Sequence, residues 1–300
     1  MKFCWTVLSF CLFFGACGPQ DKHMKIELQG HRGCRGLMPE NSWAAFQHAI
    51  DLGVTTLEFD VVLSRDSQLV VSHEPWINGE ICLLELGQHD EKALNIYEMT
   101  AEEVAAIVCG TQHYARFPDQ KKISTNKPLL REVVERTMAY CAETGRVVPG
   151  FNVEIKSRPE WDGVFHPEPV TYVQQFLTTF NSLQYSSRFT VQSFDPRILM
   201  ALHEQAPGVE LVYLTEDSSD SPEKAVALLE FTPAVYSPYF KLVDAEMRES
   251  CTQQGMELVV WTVNEPVDIA RMVALQVDGI ISDYPDRVVD YAATIGLRIQ

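Results

Sequence analysis

Positive charge is scarce in this 300-residue chain: 24 Lys and Arg face 41 Asp and Glu, for a formal net charge of −17. That balance excludes a nucleic-acid-binding surface, because affinity for phosphate backbones comes from clustered cations. It also repels anionic ligands and membranes at long range, so any phosphate chemistry needs a locally positive site such as a metal. There is no G-x-G-x-x-G fingerprint, which argues against a dinucleotide fold, and no C-x-x-C pair to mark a structural zinc. Sixteen Gly and sixteen Pro without a period exclude collagen-like and low-complexity chains. What remains is ordinary globular composition, 46% hydrophobic and 22% charged, long enough for one large domain or two modest ones.

The only extended apolar run is N-terminal. MKFCWTVLSFCLFFGAC has one cation, Lys2, then a largely apolar run from Phe3 to Phe14, then Gly15-Ala16-Cys17 before the chain turns polar. The run is shorter than the roughly 18 residues a bilayer span needs, and reads as an export signal. It resembles a bacterial lipoprotein signal, although Phe14 stands where that pattern usually has an aliphatic residue. The resemblance implies a signal over residues 1–17, lipidation at Cys17, a tether over 18–25 and a domain over 26–300. That domain would be exported and lipid-anchored to a bacterial membrane, periplasmic or at the cell surface; a plain cleaved export signal is the alternative. Of the remaining cysteines, Cys82 and Cys109 are the pair to test for a disulfide, with buried free thiols expected for most of the others.

Along the chain, runs rich in β-branched and aromatic residues alternate with helical patterns. Nine strand-like runs are legible: Lys25–Gly30, Thr55–Val62, Leu69–His73, Gly150–Lys156, Phe189–Phe194, Glu210–Leu214, Ala234–Ser237, Leu258–Val263 and Gly279–Ser282. Helical patterns include Ser42–Leu52, Leu129–Thr144 and Val170–Asn181; the first opens on Ser42 as N-cap. Repeated βα units point to a (β/α)8 TIM barrel, an α/β fold. One of the nine runs is then an excursion, and the suspect stretch is Val61–His73, where no helix separates the two halves. Pro75–Asn126, with His89 and His113 and short helical patches near Asn95–Ile107, is far longer than a usual βα loop. It is expected to be an insertion between the third and fourth strands, either over the barrel mouth or packed on its side.

Chemistry concentrates at strand ends. Glu58 and Asp60 are two apart in a strand and share a face, as do Glu154 and Lys156. Carboxylates turned into a barrel repel each other unless a cation sits between them, and all-oxygen donors favour Mg²⁺ or Ca²⁺. Glu58, Asp60 and Glu154 are thus candidate metal ligands, with Lys156 as a phosphate contact; a solvated strand face is the plainer alternative. His31 follows the first strand in GHRGCRG and His73 ends LVVSH, both at strand ends that suit acid–base work near neutral pH. Either histidine could instead ligate the metal. Arg32 offers a two-pronged donor for phosphate oxygens.

These residues lie within GHRGCRGLMPENSWAAFQHAIDLGVTTLEFDVVLSRDSQLVVSHEPW, which resembles the signature of glycerophosphodiester phosphodiesterases. FNVEIK, TVQSFD, LVVWTVNE and VDGIISDYP follow in the family's order, so the resemblance covers about Ile26 to Arg287. It implies a TIM-barrel enzyme that cuts glycerophosphodiesters into glycerol 3-phosphate and an alcohol with one divalent metal, Ca²⁺ or Mg²⁺. Glu58, Asp60 and Glu154 match the family's metal ligands, His31 and His73 its acid–base pair, and Arg32 and Lys156 its phosphate contacts. Trp261 looks like the aromatic wall beside the glycerol moiety, or else a barrel packing residue. Glu40-Asn41 belongs to the pattern, or else simply organises the loop and caps the first helix. Glu74 departs from the Asp common after the second histidine, and Ser67 from a usual turn glycine. A small-molecule glycerophosphodiester is the expected partner, with no nucleic acid, no evident protein partner and membrane contact only through the anchor. A cyclising phospholipase of the same superfamily and a non-catalytic binding lipoprotein are the competing readings.

Overall fold

The computed structural model describes residues 25–84 and 94–300. The signal, Cys17, nearly all of the tether and His89 lie outside the described residues. Ten strands are present among them: β1 (Lys25–His31), β2 (Thr56–Leu63), β3 (Leu69–Val71), β4 (Gly150–Ile155), β5 (Phe189–Ser193), β6 (Glu210–Thr215), β7 (Val235–Pro238), β8 (Glu257–Val260), β9 (Gly279–Ser282) and β10 (Arg298–Ile299). Parallel pairing runs β1–β2–β4–β5–β6–β7–β8–β9 and returns to β1, which closes an eight-stranded barrel.

The helices are α1 (Trp43–Leu52), α2 (Ala101–Ala105), α3 (Leu130–Thr144), α4 (Pro169–Phe180), α5 (Pro196–Gln205), α6 (Pro222–Leu229), α7 (Ala245–Gln254), α8 (Pro266–Ala274) and α9 (Pro285–Ile295). One helix other than the short α2 follows each barrel strand. Five of them (α4, α5, α6, α8 and α9) begin with proline in the first turn, where its fixed φ and missing N–H cost nothing. Ser42 caps α1 by accepting from the Ala45 N–H, so the Glu40-Asn41 pair is not the cap.

The suspect stretch is indeed the excursion. β3 turns back antiparallel on the end of β2, pairing Val61 with Val71 and Leu63 with Leu69, and lies outside the barrel. Ser67 in the connecting turn has φ +58°, the conformation that favours glycine. β10, absent from the sequence reading, adds two residues alongside the start of β1. The strand expected over Leu258–Val263 ends at Val260, and Trp261 continues the pairing only as an isolated bridge to Tyr239.

Alternation in the strands sorts side chains between two environments. Leu57, Phe59 and Val61 of β2 and Phe151, Val153 and Ile155 of β4 face outward into the main core beneath the helices. Their neighbours face inward. On the β1–β5 side the interior is polar: Asn152 donates to Gln29 (2.8 Å) and Gln192 (3.0 Å), and accepts from Thr190 (2.9 Å). On the β6–β9 side it is apolar, filled by Val212, Val235, Val259 and Ile281. The polar half is the floor on which the carboxylates stand.

The insertion packs on the β2–β3 hairpin, where Ile77, Cys82, Ile96, Val104 and Cys109 form a second small core with Val62 and Val70, and Cys82–Cys109 form a disulfide. Cys34, Cys141 and Cys251 are buried free thiols. No described helix is long and apolar enough to cross a membrane.

Candidate active site

At the C-terminal ends of the barrel strands a cavity of about 750 Å³ opens, the face on which barrel enzymes carry their chemistry. His31, Arg32, Glu58, His73, Glu154, Lys156 and Trp261 all line it, and Asp60 lies buried directly behind. The insertion contributes Pro75, Trp76 and Arg116 to the lining, so it sits at the mouth. His113 is exposed and takes no part in the lining.

Glu58 and Asp60 from β2 and Glu154 from β4 each present an oxygen to a common point, all within 4.8 Å of one another. β2 and β4 pair in register, Asp60 opposite Glu154, which fixes this convergence. All three are buried. Burial, and next the charge of Asp60, push the Glu58 carboxyl well above its ordinary range. Burial likewise raises Glu154 to about 7, although Lys156 opposes it. Asp60 is held below the usual range despite its burial, by Arg32, His73 and Lys156. Three carboxylates this close cannot all ionise unaided, and a hard divalent cation is what such a donor set fits.

The surroundings orient these carboxylates. Glu58 accepts from the Arg32 backbone N–H (3.0 Å) and from Gln192 (2.7 Å), and Asp60 accepts from Asn41 (3.0 Å). Lys156 reaches Glu154 at 2.7 Å and Asp60 at 3.8 Å, so its ammonium lies beside the carboxylates. Arg32 donates one prong to Glu40 (2.9 Å), while its buried Nε has no hydrogen-bond partner. Gly33 makes the loop possible: its φ is +84°, and a Cβ there would meet the Ala45 carbon atoms at 2.7 Å.

Each histidine carries a carboxylate partner. His31 Nδ1 lies 2.6 Å from Asp283 Oδ1, and His73 Nδ1 lies 2.7 Å from Glu74 Oε1. The longer Glu74 side chain thus reaches the histidine beside it. Burial, followed by the charge of Arg35, pushes His31 down to about 4, against the pull of Asp283. His73 is lowered too, by burial and by Arg32. Across the cavity Trp261 packs edge-on against Phe194 (5.3 Å) and tilted on Tyr239 (5.7 Å), and its Nε1 donates to Ser237 O (2.9 Å). It both packs and lines. Asp283, Gln192, Phe194 and Tyr239 were not singled out from the sequence. The polar residue that ends an apolar strand, as in ISD and VQS, was the available signal.

Residues 31–287 match the Glycerophosphoryl diester phosphodiesterase family. A glycerophosphodiester phosphodiesterase of Caldanaerobacter subterraneus subsp. tengcongensis is 27% identical, over 89% of this chain and 98% of that protein. A crystal structure from Silicibacter pomeroyi, assigned to the glycerophosphoryl diester phosphodiesterases, superposes with TM-score 0.82 at 30% identity. It covers 92% of this chain and 96% of that one. An Oleispira antarctica phosphodiesterase, in complex with the product sn-glycerol-3-phosphate, shares the fold at TM-score 0.72 and 18% identity, over 89% of this chain and 96% of that one. The chain belongs to the glycerophosphoryl diester phosphodiesterase family.

Proposed function

We propose that the protein hydrolyses glycerophosphodiesters to glycerol 3-phosphate and an alcohol, with one divalent cation, Ca²⁺ or Mg²⁺, and the histidine pair His31 and His73. One observation carries this reading: three buried carboxylates and two carboxylate-bound histidines converge on one cavity. Glu58, Asp60 and Glu154 would hold the cation, which when bound neutralises phosphodiester charge and polarises the phosphoryl oxygen. Arg32 and Lys156 add positive charge at the oxygens, where negative charge builds in the transition state.

One histidine takes the proton of the attacking oxygen and the other protonates the leaving alkoxide. The family resemblance implies that the attacking oxygen is the glycerol 2-hydroxyl, giving a cyclic phosphate that water then opens. Trp261, with Phe194 and Tyr239 beside it, offers an apolar wall to the glycerol carbons. Lipidation at Cys17 would tether the domain to a bacterial membrane.

Phosphorus NMR of a reaction with glycerophosphocholine tests this reading. Conversion to glycerol 3-phosphate supports it. A cyclic phosphate as the final product would instead mark a cyclising enzyme, and no turnover of any headgroup would contradict catalysis.

A further inference from the structure

His31 and Asp283 are 252 positions apart, yet their side chains meet at 2.6 Å in a buried site. Asp283 directly follows β9 and His31 ends β1, neighbouring strands of the closed barrel. The carboxylate is held from several sides. Arg35 Nε donates to Oδ1 (2.6 Å) and Asn264 Nδ2 donates to Oδ2 (2.8 Å). Asn264 is itself locked, because its Oδ1 accepts from the Asp283 backbone N–H (2.9 Å) and from the Ser282 hydroxyl (3.2 Å). An ionised carboxylate can only accept, so the His31 atom facing it must be the donor. The other ring nitrogen, Nε2, lies 3.9 Å from Glu58 Oε2 on the cavity side.

We propose that Asp283 is a positioning residue, fixing His31 with its proton on Nδ1 and its Nε2 turned toward the reacting atoms. Asn264 and Arg35 set the carboxylate in turn. Nε2 is then the only ring atom left to exchange a proton with substrate, whichever direction that proton moves. When His31 is the acceptor, the substrate O–H bond breaks, an Nε2–H bond forms, and the imidazolium faces the Asp283 charge. The transfer in the other direction is the reverse. An imidazole in the wrong tautomer presents a proton where a lone pair is required, which costs turnover far more than binding. The proposal rests on His31 belonging to the acid–base pair.

The first test reads the proton itself. In the full chain with ¹⁵N-labelled histidine, two-bond ¹H–¹⁵N spectra distinguish the tautomers, and loss of a signal set in His31→Ala assigns it. The neutral ring is expected with Nδ1 protonated and Nε2 bare; the opposite tautomer overturns the proposal. The second test is kinetic. Asp283→Asn and Asp283→Ala are expected to lower kcat by about 10²- to 10³-fold with KM changed by no more than about threefold. In a His31→Ala background the same substitutions should cost less than about threefold more, because the partner they act through is gone. Losses that multiply across the two sites would mean a merely structural role and overturn the proposal. Should the Asp283 variants not fold, the wild-type spectrum decides. Wild-type turnover by His31→Ala would overturn the acid–base reading, and the positioning role with it.

Discussion

Reducing the Cys82–Cys109 disulfide should destabilise the insertion before it touches the chemistry. The two cysteines are 27 residues apart. Closing a loop of that length removes about 12 cal/mol/K of entropy from the unfolded chain, or about 3.5 kcal/mol at 25 °C. Both residues are buried in the small apolar cluster that also holds Ile77, Ile96 and Val104. Reduction removes no heavy atom from the cluster, so the loss of the cross-link dominates the effect. The other described cysteines beyond this pair are free thiols, so reductant acts on this bond alone among the described residues. Urea titrations with and without dithiothreitol measure the change. A Cys82→Ala/Cys109→Ala variant checks it without reductant, and should lose somewhat more because two sulfur atoms leave the cluster. The insertion carries Trp76 and Arg116 into the cavity, whereas the carboxylates and His31 stand on barrel strands. Reduction should therefore raise KM more than it lowers kcat. A stability change below about 0.5 kcal/mol, or a fall in kcat at constant KM, would refute this account.

Other substitutions probe the site itself. His31→Ala and His73→Ala should each lower kcat by about 10²- to 10⁴-fold with the fold intact, as judged by circular dichroism; retained activity in both would contradict the acid–base pair. Glu154→Gln should abolish stabilisation of the protein by Ca²⁺ or Mg²⁺ in thermal melts. In EDTA the same variant should gain on wild type as pH rises. Burial raises the folded Glu154 to about 7, so the wild-type carboxyl loses stability between its unfolded value and that pH, and glutamine does not. A difference independent of pH between 4.5 and 7.5 would contradict the burial argument. Gly33→Ala should cost more than about 2 kcal/mol, because a positive φ and a backbone collision coincide there; an unchanged urea midpoint would show that the loop relaxes.

The barrel was legible because strand alternation and helix starts are local. Glu58 and Asp60 announce a shared face by being two apart, and Ser42 marks where the first helix opens. The missing helix between Val61 and His73 pointed to the β2–β3 hairpin. Long-range partners were not legible. Nothing within one segment says that Asp283 meets His31, that Gln192 holds Glu58, or that Asn41 turns from the helix start to Asp60. Those contacts come from closing the barrel, which brings β9 against β1 and β5 against β4. The place of the insertion was open for the same reason, since only the folded chain puts Trp76 and Arg116 at the mouth.

The most direct measurement is glycerol 3-phosphate release from glycerophosphocholine and glycerophosphoethanolamine, first in EDTA and then with Ca²⁺ or Mg²⁺ returned. The account predicts release that EDTA abolishes and one of the two cations restores, with no restoration in Glu58→Gln. Release that continues undiminished in EDTA would contradict the role given to Glu58, Asp60 and Glu154.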